Sequence, residues 1–260
     1  MPGILAIDIG GSGLKASVLK DDGTMMVERV RVDTPSPCPP GVMVAALATL
    51  VEPLPAFDRI SVGFPGVVRE GKVLTAPNLG TDDWHGFDLA GALAAQWDGK
   101  PVKIVNDADM QGLAVAAGKG VELVITLGTG VGTAFFRDGI LLPHLELAHH
   151  PVHKSKTYDE FLGDEARDAV GNKRWNKRLQ RVIPILQTVF NFDHLYIGGG
   201  NSEHVRIALP EEVSLISNDE GIHGGAKLWT GRLAKGTSRS GGSRAGRAVM
   251  SDASAADTPV

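Results

Sequence analysis

The chain has 260 residues and a formal net charge of −4, with 43% hydrophobic and 22% charged residues. These proportions are ordinary for a soluble globular protein, and the mildly negative charge argues against general affinity for nucleic acid. The single cysteine, Cys38, excludes an intrachain disulfide and a cysteine-rich zinc site. No apolar run approaches the roughly 20 residues of a membrane span, and no basic leader precedes the first strand. We therefore expect a cytoplasmic protein without membrane contact.

Strand and helix patterns alternate along the first half of the sequence. The predicted elements are, in chain order, strands at 4–9, 14–20 and 25–32, a helix at 42–51, a strand at 60–64, a hairpin at 66–75, a helix at 88–97, a strand at 102–105 and a helix at 110–117. Asp88 is a candidate N-cap for its helix, and Asp109 for the helix that starts at Met110. Three hairpin strands followed by strand, helix, strand and helix are the order of a ribonuclease-H-like half.

The second half continues the alternation and ends in a region of different composition. Its predicted elements are strands at 123–127 and 132–137, helices at 158–170 and 174–190, strands at 194–197 and 213–217, and a final helix at 221–233. From about Gly236 onward, Gly, Ser, Arg, Ala and Asp dominate and periodic apolar positions are missing. We therefore predict a disordered tail over residues 236–260.

A glycine-bearing phrase occurs twice, at residues 4–15 and 123–133. Each copy is an apolar strand-like run, then glycines with a hydroxyl residue. A second strand-like run follows each copy and ends in Asp-Gly, at residues 22–23 and 138–139. Glycine turns expose backbone N–H groups that bind phosphate oxygens, although glycines also simply permit tight hairpins. Two facing copies predict a clamp for a phosphate chain, and therefore a phosphotransferase of two similar halves. The predicted phosphate-binding residues are Gly10, Gly11, Ser12, Gly13, Gly128, Thr129, Gly130 and Gly132.

Two aspartates lie at the ends of predicted strands, at the edge where open α/β sheets bind ligands. The carboxylate of Asp107 could accept the proton of an attacking hydroxyl group, or Asn106-Asp107 could merely cap the next helix. Asp8 lies beside glycines, where a carboxylate repels phosphate unless a cation intervenes. It therefore suits Mg²⁺ held through water, or a turn in which it bonds nearby N–H groups. Lys15 either reaches phosphate or is an exposed strand residue.

Histidine and glutamate residues are concentrated at residues 144–153. The cluster lacks thiols and a repeated helical spacing, so it is a weak zinc site. A sugar-binding interpretation fits better, because sugar hydroxyls need paired hydrogen-bond acceptors and donors. We interpret His144, His150 and His153 as surface residues without a functional role.

The motifs taken together resemble the sugar kinases of the ROK family, within the actin-like ATPase superfamily. Within that family the chain is most similar to the polyphosphate glucokinases. Each glycine motif alone is unspecific, but their order along the chain is specific. Ala148 stands where a glycine is usual, and the clustered cysteines of the ROK zinc site are absent. The residues that carry the resemblance are 8–15, 63–66, 77–79, 106–109, 127–133, 144–151, 157–163, 173–176 and 194–201.

The resemblance implies an α/β fold of two ribonuclease-H-like, actin-like ATPase domains with the active site in the cleft between them. Residues 1–107 would form the N-terminal domain, completed by a C-terminal helix at 221–235. Residues 108–220 would form the larger C-terminal domain. The family also suggests a homodimer.

The resemblance further implies a kinase that makes glucose 6-phosphate, with Asp107 as the catalytic base and Mg²⁺ as cofactor. It places six residues around the sugar: Asn78, Asn106, Asp107, Glu146, His149 and Glu160. It places four residues against the donor, where a nucleotide's adenosine would lie: Gly198, Gly199, Gly200 and Asn201. The phosphoryl donor is predicted to be inorganic polyphosphate, with ATP or GTP as alternatives.

A group of basic residues in the second half bears on the choice of donor. They form either an ordinary solvated surface or a track for a polyanion, whose binding would depend on counterion release. The alternatives that stay open are a nucleotide-only ROK glucokinase or hexose kinase and a non-catalytic sugar binder. A ROK transcriptional repressor is disfavoured, because its N-terminal winged helix has no room before a first strand at Ile4. The basic residues are Lys154, Lys156, Lys173, Arg174, Lys177 and Arg178.

Overall fold

Two mixed β-sheets with the same strand arrangement form the framework of the protein. A computed structural model describes residues 3–230 and 232–233 of the chain. The tail predicted at 236–260 lies outside these residues. In each sheet the first two strands form an antiparallel hairpin, a third strand extends it on one side, and two later strands join in parallel on the other. The arrangement agrees with two similar halves.

The first half of the chain builds a five-stranded sheet. Its elements are, in chain order, β1 (Gly3–Ile9), β2 (Gly13–Leu19), β3 (Val30–Asp33), α1 (Pro40–Val51), β4 (Phe57–Phe64), β5 (Val68–Arg69), β6 (Lys72–Val73), α2 (Thr81–Trp84), α3 (Leu89–Gln96), β7 (Val102–Asn106) and α4 (Asp107–Val115). The strand order is β3-β2-β1-β4-β7, and β5 with β6 forms a separate hairpin. The carboxyl ends of β1, β4 and β7 therefore meet at one edge of the sheet.

The second half builds a six-stranded sheet. Its elements are β8 (Val121–Leu127), β9 (Val131–Arg137), β10 (Ile140–Leu141), β11 (Pro151–His153), β12 (Lys156–Thr157), α5 (Tyr158–Leu162), α6 (Asp164–Phe190), β13 (His194–Gly198), a 3₁₀ helix (Gly200–His204), β14 (Val213–Leu215), a second 3₁₀ helix (Asn218–His223), α7 (Gly224–Thr230) and β15 (Arg232–Leu233). The order is β14-β13-β8-β9-β10-β15, with β11 and β12 as a separate hairpin.

Strand β1 is buried on both faces, which explains its nearly continuous apolar sequence. Its side chains alternate between the faces. Leu5 and Ile7 pack in the large cluster that includes α1 and α3. Ile4 and Ala6 pack on the opposite face, against Ala226 of α7. The C-terminal helix thus returns to cover the first sheet.

Helix α4 lies between the two sheets. Its residues Met110 and Leu113 pack with Val105 of the first sheet and with Val124 and Phe136 of the second. The helix continues β7 without an intervening loop. Its first turn is therefore held in place relative to both sheets, and this turn contains Asp107.

Two boundaries in the first half differ from the sequence prediction. The third strand was expected at 25–32 but covers Val30–Asp33, because Met25 and Met26 lie exposed and only Met25 forms a single bridge, to Leu19. The helix expected to begin at Met110, with Asp109 as its N-cap, begins three residues earlier.

Two boundaries in the second half also differ. The helix expected at 158–170 is broken at Gly163, where a Cβ atom would lie 2.6 Å from the carbonyl oxygen of Thr129. This close approach brings the start of α6 onto the second glycine loop. The final helix expected at 221–233 is only α7, and β15 instead pairs in parallel with β10.

The domain boundaries at 107, 220 and 235 stay a prediction, since the two sheets share α4 and α7 as their packing partners. None of the helices in the described part of the chain has the length and apolar character needed to cross a bilayer.

Candidate active site

A cleft of about 400 Å³ lies where the loops of the two sheets meet. Most of the residues predicted for the site line this one cavity: Asp8, Gly10, Gly11, Ser12, Lys15, Asn78, Asn106, Asp107, Gly128, Thr129, Gly130, Gly132, Glu146, His149, Gly199 and Gly200. Four predicted residues are not part of its wall: Gly13, Glu160, Gly198 and Asn201. Residues as far apart in the sequence as Asp8 and Gly200 therefore line one cavity.

The first glycine loop forms a closed turn at the edge of the cleft. The N–H group of Gly10 donates to the carbonyl oxygen of Gly13 at 2.9 Å, and the hydroxyl of Thr34 donates to the carbonyl of Gly10 at 2.7 Å. A Cβ atom on Gly11 would lie 3.2 Å from the side chain of Asn78. The loop and Asn78 therefore form one continuous wall.

Asp8 and Lys15 form an ion pair across the first hairpin. The register places the two residues opposite each other, and the Lys15 Nζ atom lies 3.1 Å from Asp8 Oδ2. Both side chains are about a quarter exposed, at 27% and 26%. Lys15 is thus not an ordinary exposed strand residue, because it lines the cleft and its charge offsets the carboxylate of Asp8, and its predicted contact with phosphate stays a prediction.

The second glycine loop is fixed by Asp159. The N–H group of Val131 donates to Asp159 Oδ1 at 2.6 Å, and the N–H group of Gly128 donates to the Gly130 carbonyl at 3.0 Å. A Cβ atom on Gly132 would lie 2.8 Å from Ala108, so glycine is needed where this loop approaches α4. The second glycine loop therefore contacts the first turn of α4, which lines the same cleft as the first glycine loop.

Asp107 is the first residue of α4 and lines the cleft. Its Oδ1 accepts a hydrogen bond from the N–H group of Ala108 at 2.9 Å. Burial, and then the negative charge of Asp8, raise the pKa of Asp107 from 3.8 to about 7. A carboxyl group with that pKa is well matched to accept a proton near neutral pH.

Asn106, rather than Asp109, is the N-cap of α4. Its Oδ1 accepts from the N–H group of Ala108 at 2.8 Å, and its Nδ2 donates to the carbonyl of Gly66 at 3.2 Å. The side chain is only 6% exposed. Asn106 therefore uses its amide to tie the start of α4 to the loop after β4, and its predicted contact with the sugar stays a prediction.

Asp109 lies inside α4 and contacts His144. The carboxylate oxygen Oδ2 lies 3.2 Å from His144 Nδ1, and Nε2 of the same ring lies 3.8 Å from Oε2 of Glu146. The His144 side chain is 7% exposed and that of Asp109 is 2% exposed. The interpretation of His144 as a surface residue is wrong, because the loop after β10 folds it under the cleft.

Helix α5 carries two neighbouring carboxylates, Asp159 and Glu160, and the sequence prediction chose Glu160 as the one that faces the sugar. Glu160 was expected to face the sugar, but its Oε2 accepts from the N–H group of Thr157 at 2.9 Å in a capping box. Asp159, one residue earlier, lines the cleft instead. Thr157 and Glu160 have the spacing that identifies a capping box in a sequence, so this signal could have been found.

The segment 198–201 lies behind the second loop. Gly199 has a φ of +79°, and a Cβ atom there would lie 2.3 Å from the carbonyl oxygen of Leu127. Asn201 is buried, and its Nδ2 donates to the carbonyl of Gly128 at 3.4 Å while its Oδ1 accepts from Arg167. Gly199 and Gly200 reach the cleft, whereas Asn201 supports the loop from behind.

Mg²⁺ fits the acidic side of the cleft. Asp8 and Asp107 both line it, and the charge of one affects the pKa of the other. Mg²⁺ usually keeps several waters and is held by one or two carboxylates together with substrate phosphates. Among the described residues no group of three or more His, Cys, Asp or Glu side chains could hold an ion alone, so the phosphates would have to contribute ligands.

Comparison with known proteins places this geometry in a family. The sequence model described as "ROK family" matches residues 4–146. The polyphosphate glucokinase of Mycobacterium leprae is 30% identical over 240 residues, which cover 86% of this chain and 74% of the relative. The chain belongs to the ROK family.

Solved structures of ROK proteins share the fold. The inorganic polyphosphate/ATP-glucomannokinase of Arthrobacter sp. strain KM is 32% identical, with a TM-score of 0.79 over 88% of this chain and 99% of its own. A ROK glucokinase of Streptomyces griseus, solved with glucose and AMPPNP, is 19% identical with a TM-score of 0.73 over 87% and 98%. The second likeness concerns the fold alone. The α/β fold of the actin-like ATPases is therefore confirmed, and the relatives support a sugar kinase.

Proposed function

We propose that this ROK protein transfers a phosphoryl group to the 6-hydroxyl of glucose, with inorganic polyphosphate as its main donor. The observation that carries the proposal is the position of Asp107, a half-buried carboxyl group in the cleft that both glycine loops line. Relatives named polyphosphate glucokinase and polyphosphate/ATP-glucomannokinase supply the choice of sugar and donor.

The reaction assigns one step to Asp107. As the 6-hydroxyl oxygen of the sugar attacks the terminal phosphorus of the donor, the carboxylate of Asp107 accepts the hydroxyl proton. The bond from that phosphorus to the bridging oxygen breaks, and the shortened donor leaves with the oxygen. The two glycine loops offer N–H groups to the phosphates. When bound, Mg²⁺ would be held by Asp8 and the donor and would offset phosphate charge.

The sugar would lie on the Glu146 side of the cleft. Glu146 and Asp159 are acceptors at this wall, and His149 and Asn78 add groups that can donate. The His144 ring beside Glu146 lowers the pKa of that carboxyl group, so Glu146 is ionised and accepts strongly. Glu160 would reach the sugar only by releasing its bond to Thr157.

A basic face of α6 supports a polyanionic donor. Residues 172–190, beyond the kink at Gly171, contain five cations and no acidic residue. The cations recur at spacings of three and four residues, so they share one side of the helix. In the described part of the chain none of them makes an ion pair within 4.0 Å. They are Lys173, Arg174, Lys177, Arg178 and Arg181.

The hairpin β11–β12 lies beside the basic face of α6. Lys154 and Lys156 are exposed on it, and the ring of His153 lies 5.4 Å from that of Phe161. The Arg178 guanidinium lies 4.8 Å from the same ring and donates to the Phe161 carbonyl. Phe161 therefore brings the hairpin and the basic face of α6 together, on the same helix as the cleft residue Asp159.

A donor comparison tests the proposal. The purified protein is incubated with glucose, Mg²⁺ and either polyphosphate, ATP or GTP, and glucose 6-phosphate is measured by a coupled dehydrogenase. We expect the highest kcat/KM with polyphosphate. A panel with mannose and N-acetylmannosamine tests the sugar. Efficient use of ATP with no use of polyphosphate would leave a nucleotide-only hexose kinase, and no turnover with any donor would leave a sugar binder.

Charge reversal locates the polyanion. In the double variant Lys173→Glu and Arg174→Glu, we expect KM for polyphosphate to rise far more than KM for ATP. The wild-type KM for polyphosphate should also rise more steeply with salt, since each neutralised phosphate releases a counterion. The matched control reverses two exposed lysines at strand ends opposite the cleft, Lys20 and Lys119. Equal effects of both double variants would show only a change in net charge.

A further inference from the structure

A buried ion pair joins the helix of the proposed base to the loop of the proposed sugar ligand. Asp109 and His144 approach within 3.2 Å, and His144 in turn lies 3.8 Å from Glu146. The three groups form a line from the interior to the cleft, and their exposed fractions rise from 2% to 7% to 32%. Only the last, Glu146, reaches the cleft wall.

Burial of these groups is unusual for a purely packing role. An ionised side chain removed from water is tolerated only when it is paired and hydrogen-bonded. Burial by itself would lower the pKa of His144, but the neighbouring carboxyl groups of Asp109 and Glu146 outweigh that and raise the pKa to about 10. The imidazolium therefore keeps its charge throughout the neutral pH range, while burial raises the pKa of its partner Asp109.

Helix α4 connects the Asp109–His144 pair to the proposed base, because it carries both Asp107 and Asp109. Asp107 and Asp109 are two residues apart in the helix, so their side chains leave it on nearly opposite sides. Asp107 faces the cleft, while Asp109 faces the loop after β10. That loop is fixed a second time by the hydroxyl of Thr133, which donates to the carbonyl of Leu145.

We propose that Asp109 and His144 are positioning residues of the sugar site: through His144 they hold the Glu146 carboxylate at a fixed place relative to Asp107. This inference rests on the proposed function. Small displacements of a positioned group reduce the productive fraction of bound substrate, so a fixed distance between sugar ligand and base favours transfer. Loss of the His144 charge releases Glu146 toward water, and loss of the Asp109 charge loosens the His144 ring that holds Glu146.

The test measures glucose binding apart from catalysis. Isothermal titration calorimetry gives the glucose Kd, and steady-state assays give KM and kcat, for His144→Gln and Asp109→Asn. Loss of the positive charge 3.8 Å from the Glu146 carboxylate predicts a glucose Kd about 10-fold weaker for His144→Gln. Asp109→Asn leaves the imidazolium and should weaken glucose binding less. Two independent variants keep the test valid if one of them does not fold.

A double-mutant cycle shows whether His144 acts through Glu146. In the Glu146→Gln background, His144→Gln should weaken glucose binding less than 2-fold further. A general structural role would instead give the same additional loss in both backgrounds. Glu122→Gln, which disturbs a buried carboxylate at the far end of β8, is the control for lost stability and should leave the glucose Kd unchanged.

The outcomes separate this inference from the proposed function. If the wild type phosphorylates glucose while His144→Gln and Asp109→Asn keep its Kd, the positioning role is wrong and the kinase assignment stands. If the wild type binds glucose with an affinity that depends on His144 but transfers no phosphate, the proposed function fails and the positioning role stands. If the wild type binds no glucose, both are wrong.

Discussion

Replacing Asp107 with Asn should remove activity and at the same time make the folded protein more stable. Burial and the charge of Asp8 raise the pKa of this carboxyl group in the folded protein from 3.8 to about 7. The folded state therefore holds the proton more tightly than the unfolded chain. By linkage, Asp107 contributes least to stability when it is ionised, so its contribution falls as pH rises from about 4 to about 7.

The size of the effect follows from this pKa difference. At about 1.4 kcal/mol for each pH unit, an ionised Asp107 costs the fold up to about 4 kcal/mol above pH 7. Because the Asp107 carboxyl group is open to solvent on the cleft side, screening reduces this expected destabilisation to about 2 kcal/mol. Asn retains an oxygen that can accept the bond from the N–H group of Ala108, now 2.9 Å from Oδ1. The variant and the wild type should therefore be equally stable near pH 4.

Urea unfolding at several pH values between 4 and 8 measures the difference. The free energy of unfolding of Asp107→Asn should rise above that of the wild type with increasing pH and level off above pH 7. The control is Asp33→Asn, since the side chain of Asp33 is 93% exposed. In parallel, kcat should fall by about 10²–10⁴, the range for loss of a positioned base. Parallel stability curves, or near-normal kcat in the folded variant, would refute the reasoning.

Two further predictions concern stability and motion. Glu122 is 1% exposed and accepts from the N–H groups of Ala117, Gly118 and Lys119 and from the Tyr196 hydroxyl. Glu122→Gln should therefore lower the free energy of unfolding by about 2–4 kcal/mol without changing kcat. An unchanged urea midpoint would contradict this prediction. Glucose together with a donor should draw the two sheets closer around the cleft and reduce the radius of gyration in small-angle scattering, whereas superimposable curves would argue against closure.

Local sequence signals were sufficient for the framework and for the predicted phosphate loops. The repeated glycine phrase predicted two hairpins, and both form, because strand periodicity and glycine turns depend on residues close together in the chain. The same reasoning placed Asp107 at the end of a strand. It misplaced the N-cap of α4, since Asn106, Asp107 and Asp109 are all good capping residues and the choice depends on how β7 meets the helix.

The sequence by itself therefore determined the two-sheet architecture and the presence of carboxylates and glycines at strand ends. Tertiary structure alone decided which side chains meet. Asp109 and His144 are 35 positions apart and become neighbours only because the loop after β10 folds against α4. Packing between elements likewise decides that Asp159 lines the cleft, where the sequence predicted Glu160. Contacts of this kind depend on packing between elements, which no local periodicity encodes, and they set the charge and position of the groups that carry the proposed chemistry.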